Sequence, residues 1–309
     1  MVSKTKLIKP AKNGYIINTV TFTPTRVQKK LINHLYNKIM NSEYKHHYDG
    51  TYHTQNYDLK YILSKVVCFI HKCHSWRSLG SGWNNIYKHF TKWCRWGILD
   101  DSYIDLLKKY AIKRNGRHLK IVMVDTSIIL NKNGSELIKR NSLVKNKFCT
   151  KLLSIVDDKG IPIYVNYNPG SMHDSKCLVD ILDDFLSKNT DIVSFLGDSG
   201  FYTEKIKTIL KKHNVRSIIA KNVRNKKTNK KYVDKNGKKR KLTYTEKISR
   251  QVEDFTLMDK RKFKKRHKVE NVYANFKQKP HFNMRYDKHV NKLYNLTLFY
   301  FCEEIFKHI

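Results

Sequence analysis

Residues 121–129 read IVMVDTSII, and the hydrophobic period of the chain changes there. Four apolar residues in a row describe a strand covered on both faces, as in a sheet with helices on either side. Asp125 stands at the rim of that run. Downstream, KLLSIVDDKGIPIYVNYNPG supplies two more strands joined at Asp157–Gly160, a hairpin turn. SKCLVDILDDFLSK has helical spacing, with Asp174 or Ser175 as its cap. DIVSFLGDSG is a further apolar strand ending at Asp198, followed by a helix over 202–213 and a strand, VRSIIAKN, over 215–222. Residues 223–260 are polar and lysine-dense, and YVDKNGKKRKL within them carries the Asn-Gly signal of an exposed hairpin. Two helices, near 263–279 and 289–307, close the chain.

That order predicts an α/β domain over 118–309, a mixed five-stranded sheet flanked by helices, with a basic insertion at 223–260. Three strands followed by alternating units is the ribonuclease H-like order. Upstream of Ile121 the pattern is helical throughout. TRVQKKLINHLYNKIM opens on the capping residue Thr25, and Leu59, Ile62, Leu63, Val66, Val67 and Ile70 form one buried stripe. A glycine break at Gly80 and Gly82, with Ser81 as a capping residue, precedes a helix lined by Trp83, Ile86, Tyr87, Phe90 and Cys94. Lys88, His89, Lys92 and Arg95 fall on its other faces. DDSYIDLLKKY gives a fourth helix. The region 56–115 therefore reads either as an all-α helix-turn-helix-like DNA-binding domain or as a plain helical bundle. Trp83, Trp93 and Trp96 read as its core. Residues 1–55 form an N-terminal segment with no identifying pattern.

The 309 residues include 62 Lys plus Arg against 26 Asp plus Glu, a formal net charge of +36. That balance points to a polyanionic partner, above all nucleic acid. Lys, Asn, Ile and Tyr are the residues of A/T-rich codons, so clustering of charge says more than the total. The six cysteines lack paired spacing and read as reduced, buried thiols rather than a zinc site. Neither a signal-peptide core nor a membrane-spanning run is present, and a soluble, intracellular protein is expected.

KRKFKKRHKVENVYANFKQ, residues 260–278, is among the most basic windows, yet it holds one acid, Glu270. Phe263, Arg266, Glu270 and Lys277 share one helical stripe, beside an apolar stripe of Val269, Val272, Tyr273 and Phe276. The plainer account of Glu270 is a surface pair with Arg266, worth a few tenths of a kcal/mol. The plainer account of Asp125 or Asp198 alone is a turn former. Together, three carboxylates at a sheet rim suit two Mg2+ ions (or Mn2+) for phosphodiester chemistry, with Arg266 and Lys277 on phosphates.

These residues resemble DDE transposases of bacterial-type insertion sequences, the insertion-sequence-five group in particular. The signature Y-x2-R-x3-E-x6-K of that family is matched by Phe263, Arg266, Glu270 and Lys277, with Phe in place of Tyr. RYDKHVNKLYN at 285–295 is similar to the downstream Arg-Tyr-Asp-Lys segment of the family, and GSMHDSKCL at 170–178 to its Gly-x2-His-Asp-Ser stretch. VDTSII and LGDSGFYTE resemble its two aspartate motifs, and Lys151 matches a Thr-Lys before the second strand. WRSLGSGWNNIYKHFTKWCRWGIL resembles its N-terminal domain.

The resemblance implies catalytic and metal-binding roles for Asp125, Asp198 and Glu270. It implies DNA contacts from Arg266, Lys277, Lys151, Lys88, Lys92 and Arg95, with Phe263, His173 and Asp174 as accessory positions. For His173 and Asp174 a cap on the following helix is the simpler alternative. The function implied is a transposase that binds terminal inverted repeats, cleaves there and joins 3′ ends to target DNA, working as a homodimer or larger assembly. A catalytically silent DNA-binding relative, another ribonuclease H-like nuclease and an RNA-binding protein remain as other readings.

Overall fold

The computed structural model describes residues 22–49, 58–114, 120–222 and 243–309. The hairpin expected at 232–242 and the lysines of 226–241 lie outside them. The chain divides into two compact units. One, mainly helical, comprises residues 1–116, 128–150 and 274–309; the other, built on a sheet, comprises 117–127 and 151–273.

The helical unit contains α1 (Arg26–Met40), α2 (Leu59–Lys72), α3 (Trp83–Arg95) and α4 (Ile98–Lys113), then α10 (Pro280–Asn283) and α11 (Val290–Phe306) near the C-terminus. Thr25 and Gln28 close a reciprocal capping box on α1, satisfying two of its orphan N–H groups. Its inner face, Leu31, Leu35 and Ile39, is fully buried, and α1 packs on α2, α4 and α11. At α3 the cap is Gly82, left-handed at φ 82°, rather than Ser81, because the turn itself demands positive φ. Trp93 enters the core, while Trp96 is half-buried and stacks on Tyr44 at 4.3 Å. All six cysteines are buried, and none is in a disulfide. Among the described residues, no helix is long and apolar enough to cross a membrane.

Two short strands here have no counterpart in the sequence expectation. β2 (Lys139–Asn141) runs antiparallel to the start of β3 (Lys147–Asp157), and β7 (Met284–Arg285) runs parallel to the end of β1 (Ile121–Asn131). Strands of three and two residues carry no alternation to read, so the described residues hold seven strands where five are predicted. Arg285 explains β7. Its fully buried guanidinium donates to the carbonyls of Glu136, Asp287 and Lys288 and to Thr150 Oγ1. A methyl on Gly134 would lie 2.5 Å from Arg285 Nε, so only glycine fits beside it.

In the sheet unit, the strands are β4 (Pro162–Pro169), β3, β1, β5 (Ser194–Gly197) and β6 (Arg216–Ile219), hydrogen-bonded in that spatial order. β1 is parallel to β5, and β5 to β6. The β3–β4 turn is closed by the Asp157 carboxylate, which accepts from Lys159 N and Ile161 N. α5 (Asp174–Lys188) and α6 (Glu204–Lys212) bury Leu178, Leu182, Phe185, Ile206 and Leu210 against Val122, Val124, Leu153, Ile155 and Phe195 of the sheet. Further along come α7 (Tyr244–Gln251), α8 (Leu257–Phe263) and α9 (His267–Lys277).

The sequence predicts one continuous helix over 263–279. The structure instead ends α8 at Phe263, makes a 3-10 turn over Lys264–Arg266, and begins α9 at His267. Lys260, Arg261 and Lys262 each face another cation four residues on, which weakens a helix there. α8 is pinned by Asp259, which caps it with Thr256 and also takes both arms of Arg216 from β6. That fork pulls the Asp259 carboxyl down to about 2.

Candidate active site at the sheet rim

The parallel pairing sets Met123 of β1 opposite Leu196 of β5. Extending that register by two residues brings Asp125 level with Asp198. Asp198 stands just past the end of β5, where the chain leaves the hydrogen-bonded ladder, as at ligand sites in α/β sheets. Asp125 lies midway along β1, which runs on to Asn131 rather than ending at Asp125 as the sequence suggests. Asp198 also accepts from Gly200 N at 2.8 Å, which turns the chain sharply after β5. Thr126 N donates to Asp125 Oδ1 at 2.8 Å, and the buried Tyr273 hydroxyl donates to the Asp125 carbonyl at 2.7 Å.

Glu270 comes to the same rim on α9. Val269 is fully buried, Lys268 Nζ donates to the Asp158 carbonyl at 2.6 Å, and Tyr273 reaches β1 as described. Between the acids stands Arg266. One arm contacts Glu270 Oε1, and another lies 3.8 Å from Asp125 Oδ2. The surface-type pair expected as the plainer reading of Glu270 is therefore present, and the same guanidinium also faces an aspartate. Phe263 packs edge-on against Phe255 and lies 6.0 Å from the Arg266 guanidinium.

Burial pushes the Asp125 carboxyl up to about 7. The charges of Asp198 and Glu270 push the same way, and the Thr126 N–H and Arg266 oppose them. Asp198 is raised as well, again chiefly by burial, with Arg266 opposing. Carboxyl groups perturbed in this way cluster at functional sites. All the donors are carboxylate oxygens, which suits a hard divalent cation. Among the described residues, however, no three such groups converge closely enough to hold an ion, and Glu270 is engaged by Arg266.

The accessory positions fall differently from expectation. His173, not Asp174, caps α5, its ring accepting from Ser175 N. Asp174 instead accepts from Thr126 Oγ1 at 2.7 Å and from Lys151 Nζ at 2.7 Å. Lys151 is 5% exposed and also donates to the Met172 carbonyl at 2.6 Å, so its ammonium points inward rather than at a phosphate. Thr126 and Gly200 are site residues that the sequence reading passed over; their only signal was adjacency to the two aspartates. Lys277 closes α9 and is counted with the helical unit.

Lys88 and Arg95 are exposed on α3, with Lys92 half-buried between them. The ring of His47 lies 5.0 Å from that of Trp96. Burial first, and then the nearby Lys92, push the pKa of His47 and of His89 down, the latter to about 4.

Residues 116–301 match the family described as Transposase DDE domain, well over half of the chain. The chain belongs to that family. Two solved structures are similar to it. The Mos1 transposase paired-end complex with left transposon end shares 13% identity at a TM-score of 0.25, covering 60% of this chain and 62% of that one. The chain thus spans less than two thirds of that protein. A pre-cleavage Mos1 transpososome shares 11% identity at a TM-score of 0.24, covering 82% of this chain and 97% of that one. Superpositions this loose carry no argument. No curated protein matches the chain at a significant level.

Proposed function

We propose that this member of the transposase DDE domain family is an active DNA transposase of the insertion-sequence-five type, with a ribonuclease H-like catalytic unit. It binds the terminal inverted repeats of a mobile element, hydrolyses a phosphodiester at each end, and joins the freed 3′-hydroxyls to target DNA. The observation that carries this reading is the level placement of Asp125 and Asp198 on parallel strands, with Glu270 brought to the same rim.

Asp125, Asp198 and Glu270 are the residues that would hold Mg2+, or Mn2+ in its place, two ions per site. Held by these carboxylates, the ions would supply activation of an attacking oxygen and charge stabilisation at the leaving one. Arg266 grips a phosphate oxygen near the scissile bond, where its fork suits two hydrogen bonds. Lys277 supplies a further phosphate contact. Lys88, Lys92 and Arg95 on α3 hold the duplex through a helix-turn-helix-like unit, and the lysines of 226–241 add further phosphate contacts. Juxtaposing two element ends requires a homodimer or larger assembly, and the protein is DNA-associated in the cell.

A second reading, a DNA-binding relative without catalysis, is favoured by one observation: Glu270 is paired to Arg266 rather than aimed at a shared ion site. The deciding assay is Mg2+-dependent nicking of a duplex carrying the end of the flanking element, comparing wild type with Glu270→Gln at matched DNA affinity. Nicking by wild type and none by the variant supports the transposase. Equal binding without nicking by either supports the silent relative.

A further inference from the structure

Lys151 and Asp174 form a buried ion pair that the proposed chemistry leaves unused. Burying an ammonium costs several kcal/mol unless it is paired and hydrogen-bonded, and Lys151 spends its contacts on Asp174 Oδ1 and the Met172 carbonyl. Asp174 is the first residue of α5, where an acid ordinarily serves its own helix. His173 caps α5 instead, and Asp174 Oδ1 also accepts from Thr126 Oγ1. Thr126 in turn donates its backbone N–H to Asp125 Oδ1. The contacts thus run without a gap from β3, through the start of α5, to the carboxylate at the rim of β1. A methyl built on Gly200 would lie 3.1 Å from Asp174 Oδ2 and 3.0 Å from Asp198 Oδ1, so Asp174 also borders the second aspartate.

We infer that Lys151 and Asp174 are positioning residues that set the Asp125 carboxylate through Thr126, rather than a DNA contact and a helix cap. The inference rests on the transposase reading for its consequence in catalysis, but its geometry is independent of that reading. Lys151 fixes Asp174, Asp174 fixes the Thr126 side chain, and Thr126 holds its N–H on Asp125. A carboxylate held in one orientation binds a cation without first being ordered. Removing such an outer partner typically costs about 10- to 100-fold in metal affinity.

The test uses Thr126→Val, which keeps shape and backbone N–H but loses the hydroxyl, with Thr126→Ser as the conservative rescue and Asp174→Asn as the second point of attack. Mn2+ binding to the full chain is measured by calorimetry, and the Mn2+ midpoint of end nicking is measured in parallel with DNA affinity and melting temperature. The expected result is a midpoint and a Mn2+ Kd raised about tenfold or more in Thr126→Val and Asp174→Asn. Thr126→Ser should stay near wild type, and DNA affinity should be unchanged in all three. Variants that lose melting temperature alone, with wild-type Mn2+ binding, overturn the inference, as does wild-type protein that binds no Mn2+. If wild type binds Mn2+ but nicks nothing, the transposase reading fails, and the calorimetric comparison still decides the positioning role.

Discussion

Replacing Asp125 by Asn should stabilise the protein above neutral pH and do nothing for it in acid. The carboxyl stands at about 7 in the fold against 3.8 in an unfolded chain. A raised position means that, between those values, the folded state keeps a proton the unfolded state has released. Stability therefore falls as pH rises from about 4 to about 7, and the full cost is present above that. At roughly 1.4 kcal/mol per unit the ceiling is about 4 kcal/mol, and about 2 is expected once the remaining solvent contact of the carboxylate is allowed for. Asparagine keeps an oxygen for the Thr126 N–H. Urea unfolding at about pH 3, 6 and 8, the lowest chosen below the unfolded-chain value, each without and with Mg2+, measures the difference. The variant should match wild type at the lowest pH and exceed it by about 2 kcal/mol at the highest. Mg2+ should close that gap by stabilising wild type alone. A difference that is independent of pH, or of opposite sign, would refute a half-buried carboxyl raised by its surroundings.

Other consequences follow from single contacts. Arg266→Gln frees Glu270 and relieves Asp125 of its guanidinium, so DNA-free protein should bind Mn2+ more tightly while affinity for end DNA falls; calorimetry and gel shift report the two. Gly200→Ala presses a methyl against Asp198 and Asp174, and single-turnover nicking should slow with DNA affinity retained. Arg285→Met takes the guanidinium away from three carbonyls and a hydroxyl in the helical unit, and should cost about 3 kcal/mol or more in urea unfolding. Joint replacement of Lys88, Lys92 and Arg95 by Ala should flatten the salt dependence of DNA binding, lowering the log–log slope by about 2 to 3. An unchanged slope would remove α3 from the DNA surface.

What could be read from the sequence, and what could not, follows the range of the forces involved. β1 and β5 are legible because a parallel strand buried on both faces must be apolar along its length, and the polar residue ending each run is then conspicuous. Asp125 and Asp198 stand out for that reason, and parallel pairing brings them level. α1 and α2 are legible from the 3.6-residue stripe and their caps. β2 and β7 are not, since they exist through their partner strands and the Arg285 contacts rather than through any pattern of their own. Lys151 looks like one more surface cation in a chain of charge +36. Its burial depends on Asp174, a residue 23 positions away. Asp174 reads as a cap because acids are common caps at that place, and nothing local reveals that His173 takes the role. The break before α9 likewise depends on repulsion summed over several cations and on the grip of Arg216 on Asp259.

Strand transfer tests the central claim most directly. A labelled duplex ending in the element's own terminus, already cleaved to expose its 3′-hydroxyl, is incubated with supercoiled plasmid, Mg2+ and either wild type or Asp198→Asn. The account predicts label covalently joined to plasmid with wild type, lost on chelation of the metal and absent with the variant. Protein that binds the duplex with full affinity yet joins nothing to the plasmid in Mg2+ or Mn2+ would contradict it.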